Sequence, residues 1–544
     1  MTAWAAHLCL TVALFAASDA RSESPPRKPT PAEIRTAARA AEAAGDWEAA
    51  FAAYSHLYVA DRTTPEAREK LTATLRRVQQ LRRHRDPAFQ QFVLNTTVNG
   101  ALNLFAEVVT KVPKTYADRD RATPQMLWEF AVEEFERALA NPAFRSAFLG
   151  KPQPGKVDDF RRSLRDFWAK RPIANARDAR STLFQLIGAA QDTFPVTTPA
   201  AIAVEFVCGA CSGLDEYTVF LTPEVESRIV VADLSAHGLY LSYCEEGVHI
   251  DAVVPGSWVA VHTTLRKNDR VTRINGRVMD TGCPTAAGEA LRFPTEGVHD
   301  VEVVSPGSDM PPQVMKLPVV VPTVYGNRLN AGVGYVRVAN FTPTTPRELD
   351  AAIENLKLQG MRVLVLDLRG NHGGSFTAGV ETAKRLLPGG IIVTTQGQVG
   401  EVAGRVFSSD SGMTAHDVPL VVLIDTETAS AAEIVAAALK DNNRATLVGM
   451  PSFGKGAVQY PIKLSSIDGV DESGKPLPRS GTVRLTIAKL LSPRGLPLNR
   501  VGVNPNVIEP DPIAQLDKAY QRALDLLPTA PRTPSVMPIT TIPE

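Results

Sequence analysis

Three short segments within residues 361–463 carry groups suited to acyl transfer. Ser430 opens the run SAAEIVAAAL, Lys455 sits in the loop MPSFGKG, and Gly373 and Gly374 close the loop RGNHGG. A serine hydroxyl is a weak nucleophile until a neighbouring base takes its proton. Lysine serves as that base only while neutral, a state favoured by desolvation or nearby positive charge. Phe453 and the flanking glycines give Lys455 an apolar setting, and the dipole of a helix starting at Ser430 disfavours a cation beside it. The same helix start offers the Ala431 N–H to a developing oxyanion. Gly373 or Gly374, lacking Cβ, can bring a second donor close. Gln459, four residues past Lys455, can orient the amine by hydrogen bond.

The elements around these residues should gather them. RVLVLDL (362–368), PLVVLID (419–425) and ATLVG (445–449) read as buried strands, with helices after the first two. Strands alternating with helices imply a parallel sheet. A helix of about ten residues from Ser430 runs roughly 15 Å away from the sheet edge. The strand 445–449 returns roughly 16 Å. Lys455, 455 − 430 = 25 residues later, therefore lands beside Ser430. The Gly373–Gly374 loop leaves another strand at the same carboxyl edge, where open parallel sheets bind ligands.

Each feature also has a plainer reading. Ser430-Ala431-Ala432-Glu433 fits a capping box, which many helices use without catalysis. Ser452-Phe453-Gly454-Lys455 fits S-x-x-K, but that motif needs a helix that Pro451 and Gly454 oppose, and neither K-T-G nor S-D-N occurs. His372 could join a Ser-His-Asp triad, though no partner carboxylate is specified. His84-Arg85-Asp86 reads as a chance kinase-like fragment. Cys208 and Cys211 form C-x-x-C inside an apolar helical run, without the preceding strand of a redox site or the second ligand pair of a zinc site. They read as buried thiols or a disulfide. No metal site or cofactor is expected.

The chain of 544 residues is long enough for three or four domains, and 44% hydrophobic with 21% charged residues can build real cores. Lys plus Arg and Asp plus Glu each total 58 and aromatics reach 6%, which argues against a dedicated nucleic-acid binder. Leu8–Ala17 followed by Ser18-Asp19-Ala20 reads as a signal peptide over residues 1–20, and no later apolar run has membrane-spanning length. Cys9 would leave with it, and the four remaining cysteines allow three pairings. Residues 21–31 form a Pro-rich linker. Residues 32–222 are helical, beginning with a tetratricopeptide-like hairpin at 32–83 in which Ala40, Ala43, Trp47, Ala50, Phe51, Tyr54 and Leu57 recur around Gly45-Asp46. Short strands mark a block at 223–322. A strand-helix region at 323–530 closes with an amphipathic helix over 511–527, and 531–544 is a disordered tail.

VLDLRGNHGG, TASAAEIVAAALKDNNRATLVG, SFGKGAVQ, VRLTIAKLLSPRG and VGVNPNV resemble the C-terminal processing (tail-specific) serine peptidases. The match runs over about 325–510; LDEYTVFLTPE (214–224) joins it, and the block at 223–322 resembles that family's PDZ domain. The resemblance implies a multi-domain α+β chain: a helical N-terminal region, a PDZ β-domain and a crotonase-like α/β core. It implies Ser430 as nucleophile, Lys455 as general base and Gln459 as its orienter. Ala431 with Gly373 or Gly374 would form the oxyanion hole. Departures are Ala432, where the family often has a second Ser, and His372, where it has Pro or Ser. His237, Gly238, Leu239 and Tyr240 resemble the carboxylate-binding loop, with Leu239 and Leu241 lining a pocket for apolar C-termini; alternatively both leucines are ordinary core. The implied protein is a periplasmic or secreted endopeptidase acting on proteins near their C-termini. The helical region would serve an adaptor, a second copy or a lid. The alternative is a non-catalytic PDZ/helical-repeat scaffold with a relic core.

Overall fold

The computed structural model describes residues 30–527 apart from internal stretches, the longest being 224–236 and 280–296. The expected signal peptide, nearly all of the linker, the tail and Cys283 lie outside the described residues.

Among the described residues three helices come first: Pro31–Ala44, Trp47–Ala60 and Pro65–Arg85. Thr30 and Glu33 exchange capping bonds at the start of the first, and Gly45, at φ 74°, ends it. Asp46 then caps the second by accepting from the Ala49 N–H at 3.0 Å. Ala50, Phe51, Tyr54 and Leu57 point inward as their spacing predicts. Ala40 and Ala43 do not: they are exposed, and Ala38 takes the buried place. A helix rich in alanine has no bulky stripe to fix its inner face, so packing chooses it.

The third helix sends polar side chains into the interior. Arg83 lies 2.9 Å from both Glu134 and Glu205. His84 sits 2.8 Å from Glu205 and 2.7 Å from Asn141. His84-Arg85-Asp86 is thus structural: His84 is part of this cluster, and Asp86 caps the next helix, Pro87–Leu94. Val98–Thr115, Pro124–Ala140 and Ala200–Ser212 build the main helical core. The last is buried from Ala200 through Cys211, as befits a helix apolar on all sides. Cys208 and Cys211 are free thiols there, and burial raises both, Cys211 up to about 12.

Val219–Leu221 pairs with Thr482–Arg484 of the strand Thr482–Leu491, so the end of the segment read as helical joins a C-terminal sheet. Phe220, Val483 and Leu485 share the helical core. The following block is an antiparallel sheet in the order Leu239–Cys244, Gly247–Val253, Arg270–Ile274, Val298–Val304, Gln313–Pro318.

The C-terminal region centres on a six-stranded sheet. Val507–Ile508, Ala445–Gly449, Leu420–Ile424, Val363–Asp367 and Val333–Val338 run parallel in that order, and Val324–Arg328 closes one edge antiparallel. Leu364, Leu366 and Val422 face a core shared with the helices Thr345–Leu358, Phe376–Leu386 and Ala431–Asp441. Val363, Val365 and Val421 face Ala519 and Ala523 of the helix Pro512–Asp525. Burial on both faces explains why these strands read as unbroken apolar runs.

The Arg83–Glu205–His84 cluster gives a stability test. Glu205→Ala takes the 2.8 Å partner from the buried His84 and leaves Arg83 with Glu134 alone, so a loss of about 3 kcal/mol is expected in denaturant unfolding. A loss below about 1 kcal/mol, the value of a solvated surface pair, would contradict this.

Candidate active site

Val363–Asp367, Leu420–Ile424 and Ala445–Gly449 are neighbours in register, so the loops after them leave one edge together. Ser430 stands between the second strand and the helix Ala431–Asp441 at φ 56°, ψ −116°. An ordinary N-cap is extended. For a residue with a Cβ this backbone costs about 1–3 kcal/mol and must be held by its surroundings.

Glu433 supplies much of that hold. Its wholly buried carboxylate accepts from the Ser430 N–H at 2.8 Å, the Ser452 hydroxyl at 2.5 Å, and the N–H groups of Gly454 at 2.6 Å and Lys455 at 2.8 Å. Burial pushes this carboxyl up, against the pull of those four hydrogen bonds. The glutamate arm of the capping box is present, but it also ties the Lys455 loop to the start of the Ser430 helix. Ser452 additionally accepts from the Val503 N–H at 2.7 Å, and residues 450–456 contain no helix. The S-x-x-K stack therefore lacks the helix it requires.

A Cβ on Gly373 would lie 2.7 Å from the Ser430 Cβ and 2.9 Å from the Ala431 nitrogen, so only glycine permits this approach. The Gly373 N–H donates to Asn371 Oδ1 at 2.8 Å. Those of Gly374 and Ala431 have no acceptor among the described residues.

Lys455 is 9% exposed, and its Nζ lies 5.9 Å from the centre of the Tyr217 ring. Gln459 Nε2 donates to the Tyr217 carbonyl at 2.6 Å. Asp215 fixes that turn by accepting from the Tyr217 and Thr218 N–H groups at 2.8 and 2.7 Å. His372 is held down to about 4 by burial and by the nearby Lys455. So weak a base is poorly matched to neutral pH.

In the β-block, His237 is buried with Nε2 2.5 Å from the Pro318 carbonyl, and Gly238 adopts φ 75°. Leu239 lies wholly in the block's core, with Leu241 packed against it. The Tyr240 backbone pairs with Ala252, while its side chain lies outside the described residues. Among the described residues, Leu239–Cys244 is paired on one side alone.

Residues 332–508 match the model of peptidase family S41. Over 335 residues the chain is 32% identical to the carboxyl-terminal-processing protease of Picosynechococcus, an alignment spanning 58% of this chain and 76% of that one. The chain belongs to peptidase family S41. The Synechocystis protein of the same description is 29% identical over 382 residues, covering 67% of this chain and 80% of the relative. A photosystem II D1 C-terminal processing protease of known structure aligns at 21% identity and a TM-score of 0.39, over 78% of this chain and 97% of that one. This S41 protein is thus a serine-type peptidase, an α+β enzyme acting on polypeptides.

Sequence reasoning missed several groups that build this candidate site. Asp367, fully buried, ion-pairs with Arg369 at 2.7 Å and accepts from the Tyr335 hydroxyl at 2.7 Å. Asp425 accepts from the Gly370 N–H at 3.0 Å and the Thr428 N–H at 2.9 Å, bracing the two loops. The available signal was a carboxylate ending a strand otherwise wholly apolar, VLVLD and LVVLID, which burial tolerates only with several donors. Tyr217 and the loop-tying role of Glu433 had no local signal.

His372 gives this S41 peptidase a measurable pH dependence. The unfolded chain binds a proton at His372 near pH 6.5, the folded one not until about 4. Its contribution is therefore neutral above that window, and stability falls as pH drops through it. His372→Asn should weaken the fall in thermal midpoint between about pH 7 and 5; an unchanged slope would refute the assignment.

Proposed function

We propose that this peptidase is an exported endopeptidase cutting proteins near their C-termini by a Ser430–Lys455 dyad. The observation that carries the reading is Glu433, one buried carboxylate bonded to the backbone of both Ser430 and Lys455. In this reading Lys455, neutral, takes the proton as Ser430 Oγ attacks the scissile carbonyl. The N–H groups of Ala431 and of the Gly373–Gly374 pair, Gly374 having the uncommitted donor, stabilise the oxyanion. Lys455 returns the proton to the leaving amine, and water then hydrolyses the acyl-enzyme. Gln459, its Nε2 engaged by Tyr217, keeps Oε1 as an acceptor to orient the lysine amine. The strand-helix region 323–530 is the crotonase-like peptidase core, with Val219–Leu221 contributed from before residue 222.

The block at 223–322 is read as a PDZ domain. The side of Leu239–Cys244 that pairs with no described residue and the positive φ of Gly238 support strand addition by a substrate tail, its carboxylate taken by the loop from His237. Leu239 and Leu241 then line the pocket from the core side. A signal peptide at 1–20 would deliver the enzyme to the periplasm or beyond.

Digestion of an unfolded model protein tests the dyad. Ser430→Ala and Lys455→Ala are each expected to lose about a thousandfold or more in kcat, with a serine-reactive probe mapping to Ser430. Full activity in either variant, or a label on Ser452, would sink the dyad; no cleavage by wild type would favour a binding protein. Gly238→Trp should slow digestion of substrates with apolar tails and spare tailless ones. Equal loss on both would remove the PDZ domain from substrate selection.

A further inference from the structure

A cavity of about 630 Å³ lies between the leading helices and the carboxyl edge of the six-stranded sheet. Its roof is one face of each of two helices: Phe51, Ser55 and Tyr58 from Trp47–Ala60, and Leu71 and Leu75 from Pro65–Arg85. These spacings are those of single helical faces. Its floor includes Met450, Phe453 and Gly454, so it adjoins the Lys455 loop. The volume is that of a ligand site, and apolar walls with a few polar groups are what such sites present.

The polar groups narrow the ligand. Arg369 and Arg337 are paired to Asp367, and Arg500 to Glu216. Asp425 is occupied by the backbone of Gly370 and Thr428. The Glu427 carboxyl lines the cavity and has neither hydrogen bond nor ion pair among the described residues. Burial and then the neighbouring Asp425 push it up to about 7, with Arg337 pulling the other way. On the roof, the Arg68 guanidinium has no hydrogen bond or ion pair among the described residues. A half-buried carboxyl facing a cavity without a partner is a ready acceptor for a cation.

We propose that this cavity is a substrate subsite that receives a polypeptide segment carrying a lysine or arginine, whose charge pairs with Glu427 while neighbouring apolar side chains lie on Phe51, Leu71 and Phe453. Main-chain carbonyls of the segment are acceptors for Arg68. The polypeptide nature of the ligand rests on the dyad reading, because Phe453 and Gly454 directly precede Lys455. The roof also touches that loop: the Tyr58 hydroxyl donates to the Arg500 carbonyl at 3.0 Å, and the Arg500 N–H to that of Gly454 at 2.6 Å.

Binding is tested apart from cleavage, in the full chain carrying Ser430→Ala. Short fluorescent peptides of apolar sequence hold one lysine, or norleucine in its place. Their C-termini are amidated so that no carboxylate is offered to the β-block. By anisotropy at about pH 8 the lysine peptide should bind about tenfold tighter, as expected of a desolvated ion pair. Glu427→Gln should abolish the preference, and it should shrink as Glu427 protonates towards about pH 6. The charges facing Glu427 across the cavity are Asp425, Arg337, Arg369, Arg68 and the Arg500–Glu216 pair. Thr72→Trp, which fills the roof, should weaken both peptides. Equal binding of the two peptides, a preference surviving Glu427→Gln, or no binding of either overturns the subsite. Cleavage of the peptides by the Ser430→Ala chain would instead count against the dyad.

Discussion

The site depends on a carboxylate that does no chemistry of its own. Glu433 lies in the first turn of its helix, fully buried, with its oxygens shared among a hydroxyl and three backbone N–H groups from two loops. Those four hydrogen bonds offset part of its desolvation. Those bonds oppose relaxation of Ser430 out of φ 56° and keep the 450–456 loop against the helix start. Removing it would leave four donors unsatisfied in a dry interior.

The same device recurs around the sheet edge. Asp367, Asp425 and Asp215 each end or follow an apolar segment and organise a turn by accepting from nearby donors. Strands buried on both faces give rigid starting points, and the acids convert them into loops of fixed shape. Glycine completes the arrangement where backbone must touch backbone: a Cβ on Gly374 would sit 2.2 Å from the Phe341 carbonyl oxygen.

The helical region is not an appendage to this core. Val219–Leu221 crosses into a C-terminal sheet, Phe92 packs on Phe220 with ring centres 6.0 Å apart, and Tyr58 reaches the Arg500 carbonyl. The helices and the peptidase edge therefore share packing.

Much of this was written in local pattern. Apolar runs of strand length alternating with helices required a parallel sheet, which put the Ser430, Lys455 and Gly373 loops on one edge. Gly45, Asp46 and Asp511 marked helix boundaries because capping is decided by neighbours in sequence. Alanine-rich stretches were less legible, since Ala40 and Ala43 carry too little bulk to choose a face. Only the tertiary structure decided that Gly373 gives its N–H to Asn371 while that of Gly374 is left over among the described residues, and that Tyr217 comes beside both Lys455 and Gln459. The Tyr217–Gln459 bond spans 242 residues. Periodicity and propensity register the immediate neighbours of a residue; which distant backbone group completes a buried hydrogen bond is fixed only when the packed layers set their spacing.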